Sequence, residues 1–486
     1  MNVLRLFAVL LGLAVAASAG GVHAQKKVLH VAFRTAETGF DPQRIDDRYS
    51  VGICENLFEP LLTYDYLARP VRLVPLVAES IPEPEEGGTR YTFRIRPSIL
   101  FADDPAFKGQ KRELTAKDIE YSIKRFRDPK NRSPYAWLWE DKLAGLDELA
   151  EKAKKADFDY DAKIPGLEVR GRYIISFKLK EPDYNFLYVL AMPNVVPVAR
   201  EVIEAYGSDT HAHPVGTGPF VLAEWVRRSK IVLEKNPNHR GYELDTRYAD
   251  SADEWDRRAM ESLRGKRLPA LDRVEIYPIE DDQPRFLAFL NREHDILDET
   301  PAQFINQVLP NGKLAPGLAK QGVKVFREEQ PELTYDTFNL EDPVVGGYTP
   351  ERVGLRRALV LAHDRDAEVA FIRKNQAITA QSPIPPGIVG YDPAFHTHAQ
   401  DYDPAKAKAL LDMFGYVDRD GDGWRETPDG RPLTLTYKYS LGGDTRPQAE
   451  LWVKSLADIG IHMQAVPVQF ADLLKDKKVG KFQMAG

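Results

Sequence analysis

The sequence predicts an α/β protein, and three observations carry that prediction. Segments with the two-residue period of strands interleave with segments of helical period over the full length. No segment repeats another, and no long flexible linker lets one part fold away from the rest. The mature length of about 460 residues allows two or three domains of ~100–200 residues each.

The elements follow in order. The N-terminus "MNVLRLFAVLLGLAVAASAGGVHAQKK" places Arg5 before an apolar run, Leu6 to Ala17, and then small residues up to Ala24. That is the pattern of a cleaved export leader, residues 1–24, and the run is shorter than the ~20 residues a membrane span needs. "VLHVAFR" (Val28–Arg34) is apolar enough to predict a strand buried on both faces. Apolar spacing predicts a helix around Ser50–Phe58. In "RYTFRIRPSILFAD", Tyr91, Phe93 and Ile95 alternate with Thr92, Arg94 and Arg96, which predicts a half-buried strand. "ELTAKDIEYSIKRF" predicts a helix capped by Thr115, with Asp118 three residues on and a Leu114–Ile119 staple. "AGLDELAEKAKKADFDYDAK" is charged and reads as a surface helix; "RYIISFKLKEP" reads as a strand.

Further on, "HPVGTGPFVLAEWVRRSKIVLEKNPNH" reads as loop, strand, turn and strand. "LDRVEIYPI" is a strand, followed by a helix over Gln283–Asn291. "TYDTFNLEDPVV" is a strand then a loop, and "RVGLRRALVLAHDRDAEVAFI" one or two helices. "AKAKALLDMFG" is a helix stopped by Gly415. The strand "LTLTYKYS", the helix "RPQAELWVKSLADIG" and the strand "IHMQAVPV" complete the pattern.

Composition narrows the function. The net charge of −7 becomes −8 once the leader takes away Arg5 and no acid, and no basic stripe carries interleaved aromatics. Nucleic-acid binding is therefore not expected. Cys54, the one cysteine, lies beyond the leader, so neither a disulfide nor a lipid anchor is expected. Its place between Ile53 and Leu57 suits a small packing residue better than a nucleophile. An exported protein, most simply periplasmic, is the expectation. With 21 Tyr, 22 Phe and 6 Trp, it has aromatics for a core and for a cleft.

Local motifs point to little chemistry. "GTGPF" (Gly216–Phe220) lacks the Lys-Ser/Thr of a phosphate loop, and Pro219 removes an N–H that a phosphate cradle needs. Gly216 and Gly218 read as a structural turn. "HAH" (His211, His213) and "HTH" (His396, His398) have no further ligands at a recognised metal spacing and read as loop histidines. No Gly-x-Ser-x-Gly is present. In "VDRDGDGWRETPDG", Asp418, Asp420, Asp422 and Gly423 make the first half of a calcium loop, but position twelve is Asp429 rather than Glu. A structural calcium of millimolar affinity and a turn of Asp side chains on their own backbone both remain open.

Taken in order, "NLFEPLLTYD", "YTFRIRPSILFAD", "LTAKDIEYSIKRFRDP", "SPYAWLW", "VGTGPFVLAEW", "IVLEKNPNH", "LDRVEIYPI", "TYDTFNL", "LRRALVLAHDRD", "AKALLDMFGYVDRDGDGWRE" and "LWVKSLADIGI" resemble the solute-binding proteins of peptide-type ABC importers, extracellular family 5. The resemblance implies a type II periplasmic-binding fold: two lobes around a cleft, with a subdomain on lobe one. It places lobe one at residues 25–56 and 211–291, the subdomain at 57–206 and lobe two at 292–486. It implies a non-enzymatic monomer that hands a small solute, a peptide first of all, to a permease and its ATPase subunits, with no catalytic cofactor. Nickel complexes, haem, sugars and opines are the alternative cargoes of such proteins; an exported hydrolase is the alternative of another class. The site residues implied are Asp444 for a ligand ammonium, Tyr135 on the cleft wall, Asn339 near the hinge and Trp424 in a side-chain pocket. Relatives usually carry further segments that return to lobe one, so a shortened copy is expected.

Overall fold

The computed structural model describes residues 26–66, 68, 71–244, 254–327, 330–442 and 444–486; the expected leader, residues 1–24, lies outside them. The strands in chain order are β1 (Val28–Phe33), β2 (Leu62–Tyr64), β3 (Leu73–Pro75), β4 (Arg90–Arg94), β5 (Leu167–Arg170), β6 (Ile174–Lys178), β7 (Phe220–Val226), β8 (Lys230–Lys235), β9 (Tyr242–Glu243), β10 (Arg267–Leu268), β11 (Arg273–Pro278), β12 (Thr337–Phe338), β13 (Thr434–Ser440), β14 (His462–Val468) and β15 (Met484–Ala485).

Three of the sheets have more than two strands, and each sits on its own core. The first has the order β1-β11-β8-β7, with β1 parallel to β11. Its core gathers Phe40, Ile53, Phe58, Ile231, Leu233 and Ile276. The second, β4-β6-β5, packs on the helix Ala116–Arg127 around Phe93, Phe126, Trp139, Phe177 and Phe186. The third, β12-β15-β13-β14, has β13 parallel to β14. It packs on the helices Pro350–Ala362 and Thr445–Ala457 through Leu355, Leu359, Tyr437, Trp452 and Leu456.

Local signals account for much of this. Tyr91, Phe93 and Ile95 are all buried, as alternation requires. The Asp118 carboxylate accepts the Thr115 N–H at 2.7 Å and its hydroxyl at 2.9 Å, which fixes the start of the Ala116–Arg127 helix. Gly415, at φ 78°, follows the Pro404–Met413 helix in the left-handed conformation that an L side chain resists. The "GTGPF" loop lies directly against the end of the Arg48–Leu57 helix. The Gly218 amide donates to the Leu57 carbonyl at 2.9 Å, and a Cβ on Gly216 would collide with that same carbonyl oxygen.

Other elements depart from expectation. β1 is half-buried rather than covered on both faces, because it lies at the edge of its sheet with only an isolated bridge from Val31 to Ile296 beyond it. The Leu146–Ala153 helix is not wholly a surface element: Leu146, Leu149 and Ala150 are buried beneath its charges. The helix Phe470–Lys478 and strand β15 are additional to the elements expected from the sequence.

Two features tie the units together. Arg125, on the subdomain helix, donates to both Asp41 oxygens at 3.0 and 2.7 Å with the pair almost fully buried. Burial pushes the Asp41 carboxyl up, but the Arg125 guanidinium and the Thr210 hydroxyl more than offset it and hold it below its ordinary value. The second feature is the crossing between the main sheets. The Asp295 amide donates to the His30 carbonyl at 2.9 Å and Ile296 bridges Val31, so the chain still follows β1 at a point the sequence reading placed in lobe two.

Candidate binding site

The first and third sheets aim the C-terminal ends of their strands at one another. Thr35–Thr38 after β1, Arg227–Arg228 between β7 and β8, and Ile279–Pro284 after β11 come from one side. Leu441–Gly442 after β13 and Gln469–Ala471 after β14 come from the other. Between them lie cavities of about 410 and 500 Å³ that share Glu280 and Gln469 as walls. A ligand site beyond the carboxyl ends of the strands is the general rule for open α/β sheets. A Cβ built on Gly442 would stand 3.5 Å from the Glu280 carbonyl oxygen, an ordinary contact, so the two sides come within van der Waals reach here, and it is the φ of 112° that favours glycine.

Asp444 is the N-cap residue of the Thr445–Ala457 helix, yet its side chain caps no helix N–H. The carboxylate is half-buried. Burial raises its pKa, Asp282 from the other side of the gap raises it further, and Arg373 and Arg34 pull it down. A carboxylate with charges of the opposite lobe acting on it, which does not cap the helix it heads, is equipped to meet a cationic group. Tyr135 packs half-buried on the subdomain core. Burial pushes its phenol up, and Asp46 and Asp47 add to this. Asp46 takes Lys478 of the Phe470–Lys478 helix at 3.1 Å, so Tyr135 stands close to a contact between the two sides.

The other two residues are placed elsewhere. Asn339 donates its side-chain amide to the carbonyls of Gly480 and Phe482 at 2.9 and 3.0 Å, and its oxygen accepts the Glu341 N–H. That amide ties β12 to the segment before β15, and Asn339 is not among the walls of the two cavities. Trp424 packs edge-on against His462, whose partner Thr434 begins β13. The gap lies at the other end of that seven-residue strand, roughly 20 Å away at ~3.3 Å per residue. Trp424 therefore does not line these cavities.

Glu37 was missed. It is 4% exposed; one oxygen accepts the Trp225 indole N–H at 2.6 Å and the Arg228 N–H at 3.2 Å, and the other has no hydrogen-bond partner among the described residues. Its one sequence signal was a lone acid in "TAETGF", just after the first strand.

The Asp loop is a loop of the third-sheet unit. Asp418 accepts the N–H groups of Gly421 and Gly423 at 2.7 and 3.0 Å, and Asp422 accepts that of Trp424 at 2.8 Å. Glu426 joins Asp418, Asp420 and Asp422, one oxygen of each lying within 4.8 Å of the rest. Asp429, counted by sequence as the twelfth position, bonds Thr427 and Arg431 instead. The loop is closed by its own backbone, and its four carboxylates suit a hard cation.

Comparison with known proteins follows the same lines. The family described as bacterial extracellular solute-binding proteins, family 5 Middle, matches residues 72–486. Di/tripeptide-binding protein 2 of Pseudomonas aeruginosa strain UCBPP-PA14 is 26% identical over 98% of this chain and 78% of its own. The probable deoxycholate-binding periplasmic protein YgiS of Escherichia coli K12 is 29% identical over 77% of this chain and 61% of its own. The fold is similar to that of the oligopeptide-binding protein AppA from Bacillus subtilis in complex with a nonapeptide. The TM-score is 0.73 at 20% identity, covering 95% of this chain and 79% of that one.

Proposed function

The chain belongs to the bacterial extracellular solute-binding proteins of family 5, and from that membership we propose that it captures a short peptide between its lobes and hands it to the permease and ATPase subunits of an ABC importer. It is a binding protein and not an enzyme. The observation that supports the peptide reading best is the half-buried Asp444 carboxylate, uncommitted to its helix, beside a gap walled by both lobes. A peptide in water is a zwitterion with a polar backbone. Burying it requires a carboxylate for its ammonium, hydrogen-bond partners for its amides and room for its side chains. In this reading Asp444 takes the ammonium and Tyr135 forms part of the wall, with lobe two beginning beyond Ile296.

The remaining assignments belong to the same reading. The protein is exported behind residues 1–24 and works in the periplasm as a monomer. Among the described residues no helix is long and apolar enough to cross a membrane. The Asp418–Glu426 loop binds calcium at ~10⁻⁴–10⁻³ M as a stiffener. Chelation is expected to lower the melting temperature slightly and leave ligand affinity unchanged.

Mass spectrometry of ligand released from the native protein, with calorimetry on di- and tripeptides, tests the peptide assignment. Peptides are expected in the released fraction and in the titrations. Deoxycholate is the competing arm, because it appears in the name of one relative. Tight deoxycholate binding without any peptide binding would overturn the peptide reading and leave the family untouched.

A further inference from the structure

We propose that His396, His398 and Asp401 form a surface site for a borderline divalent cation, of which Zn²⁺ is the type. None of the three lines the interlobe cavities. Sequence spacing alone offered two histidines and no third ligand. The short 3₁₀ turn His398–Gln400 changes this, because it brings Asp401 back beside both rings. The Asp401 carboxylate lies 2.9 Å from His398 Nδ1 and 3.8 Å from His396 Nε2. One ligand atom from each residue falls within 4.8 Å of the other two. A zinc ion with bonds of ~2.0–2.2 Å holds its ligands about 3.4 Å apart in a tetrahedron. The closing movement needed is small, and the imidazoles are 60% and 88% exposed and free to make it.

The backbone beneath them is held. The Thr397 N–H donates to Gln381 Oε1 at 3.1 Å, and the Arg365 guanidinium donates to the Gln400 carbonyl at 3.3 Å. The Asp403 N–H donates to the Leu361 carbonyl at 2.8 Å, and its side chain accepts the Lys406 N–H that starts the Pro404–Met413 helix. Three ligands within six residues therefore stand on an anchored segment, with the fourth position left to water. Two imidazoles and one carboxylate suit zinc, nickel or copper, whereas calcium and magnesium take oxygen. The other histidine pair makes the contrast. It also meets an aspartate, Asp209, 3.6 Å from His211 and 3.3 Å from His213, but its ligand atoms do not converge as a group of three, and packing holds the rings: His213 stacks on Tyr206 at 3.8 Å and His211 meets the edge of Trp225 at 5.9 Å.

Calorimetry with ZnCl₂ on the untagged protein tests the site. One equivalent is expected to bind, and each of His396→Ala, His398→Ala and Asp401→Asn is expected to weaken it by at least about tenfold, since a lost ligand costs no less than a lost outer-shell partner. Asp420→Asn and His211→Ala leave the zinc isotherm unchanged, and CaCl₂ does not compete for it. Matching circular dichroism shows that the variants are folded, as their exposure predicts. An unchanged zinc isotherm in the His396→Ala/His398→Ala double variant overturns the proposal.

Discussion

Asp444 is subject to two opposed demands. Its folded pKa is raised by burial and by Asp282, so the ionised form is disfavoured in the ligand-free protein. The sign follows from linkage. For a carboxyl with a raised folded pKa, the stability penalty is present above that pKa and disappears as pH falls below the ordinary value of ~3.9. Asp444→Asn is therefore expected to raise the melting temperature of the ligand-free protein at neutral pH, with the gain vanishing in acid. The same change is expected to weaken a peptide with a free amino terminus by about 3 kcal/mol, the lower end for breaking a buried ion pair, because the carboxylate is only half-buried before closure. An N-acetylated peptide should not distinguish the two proteins. Wild-type affinity should fall on acidification at a pH above that of an ordinary aspartate. Equal calorimetric affinities of wild type and variant for the free-amino peptide would remove Asp444 from the site. The position of Asp444 ahead of a helix was legible in "GGDTRPQAELW". Its refusal of the cap was not, because Arg34 and Asp282, which act on it, belong to distant parts of the chain.

At the scale of elements, tertiary contact supplies a reason for the glycines of the "GTGPF" turn. Gly216 and Gly218 lie where the loop meets the Leu57 end of a helix, and no side chain fits. Gly216→Ala is expected to cost roughly 1–3 kcal/mol, as overpacking does, and to lower the urea midpoint without changing the m-value. An unaltered midpoint would show that the helix end can yield. Elements with strong local grammar were legible: the Thr115–Asp118 start, the Gly415 stop and the alternation through Phe93. β15 was not. It has two residues, and its partners β12 and β13 are remote in sequence, so its pairing leaves no periodic trace. The position of Trp424 was not legible for a similar reason: sequence shows that it follows the Asp loop, but not which end of β13 that loop adjoins.

At the scale of the whole molecule, the two sides are joined by charges as well as by chain. Lys478 reaches Asp46, Arg48 lies within 4.0 Å of Asp298, Glu299 and Glu332, and Arg34 bonds Glu299. Such exposed pairs contribute ~0–1 kcal/mol each and are weakened by salt, so they bias closure without locking it. Saturating ligand is expected to lower the radius of gyration in solution scattering, because contacts made only in the closed form shift the population. Asp46→Ala should change the ligand-free equilibrium by no more than about fivefold. An unchanged radius with ligand bound would count against hinge closure.

By itself the sequence determined the alternation of strands and helices, the caps and stops that bound many of them, and the ordered motifs through which the family resemblance was read. These are local properties, set by side-chain period and by the hydrogen-bonding needs of helix ends. Tertiary structure alone decided which strand ends face each other across the gap, which aspartate heads a helix without capping it, and that Asp401 turns back beside two histidines. Those outcomes depend on how residues far apart, or on opposite sides of a turn, are brought within a few ångströms, and the order of residues along a chain does not encode that distance locally.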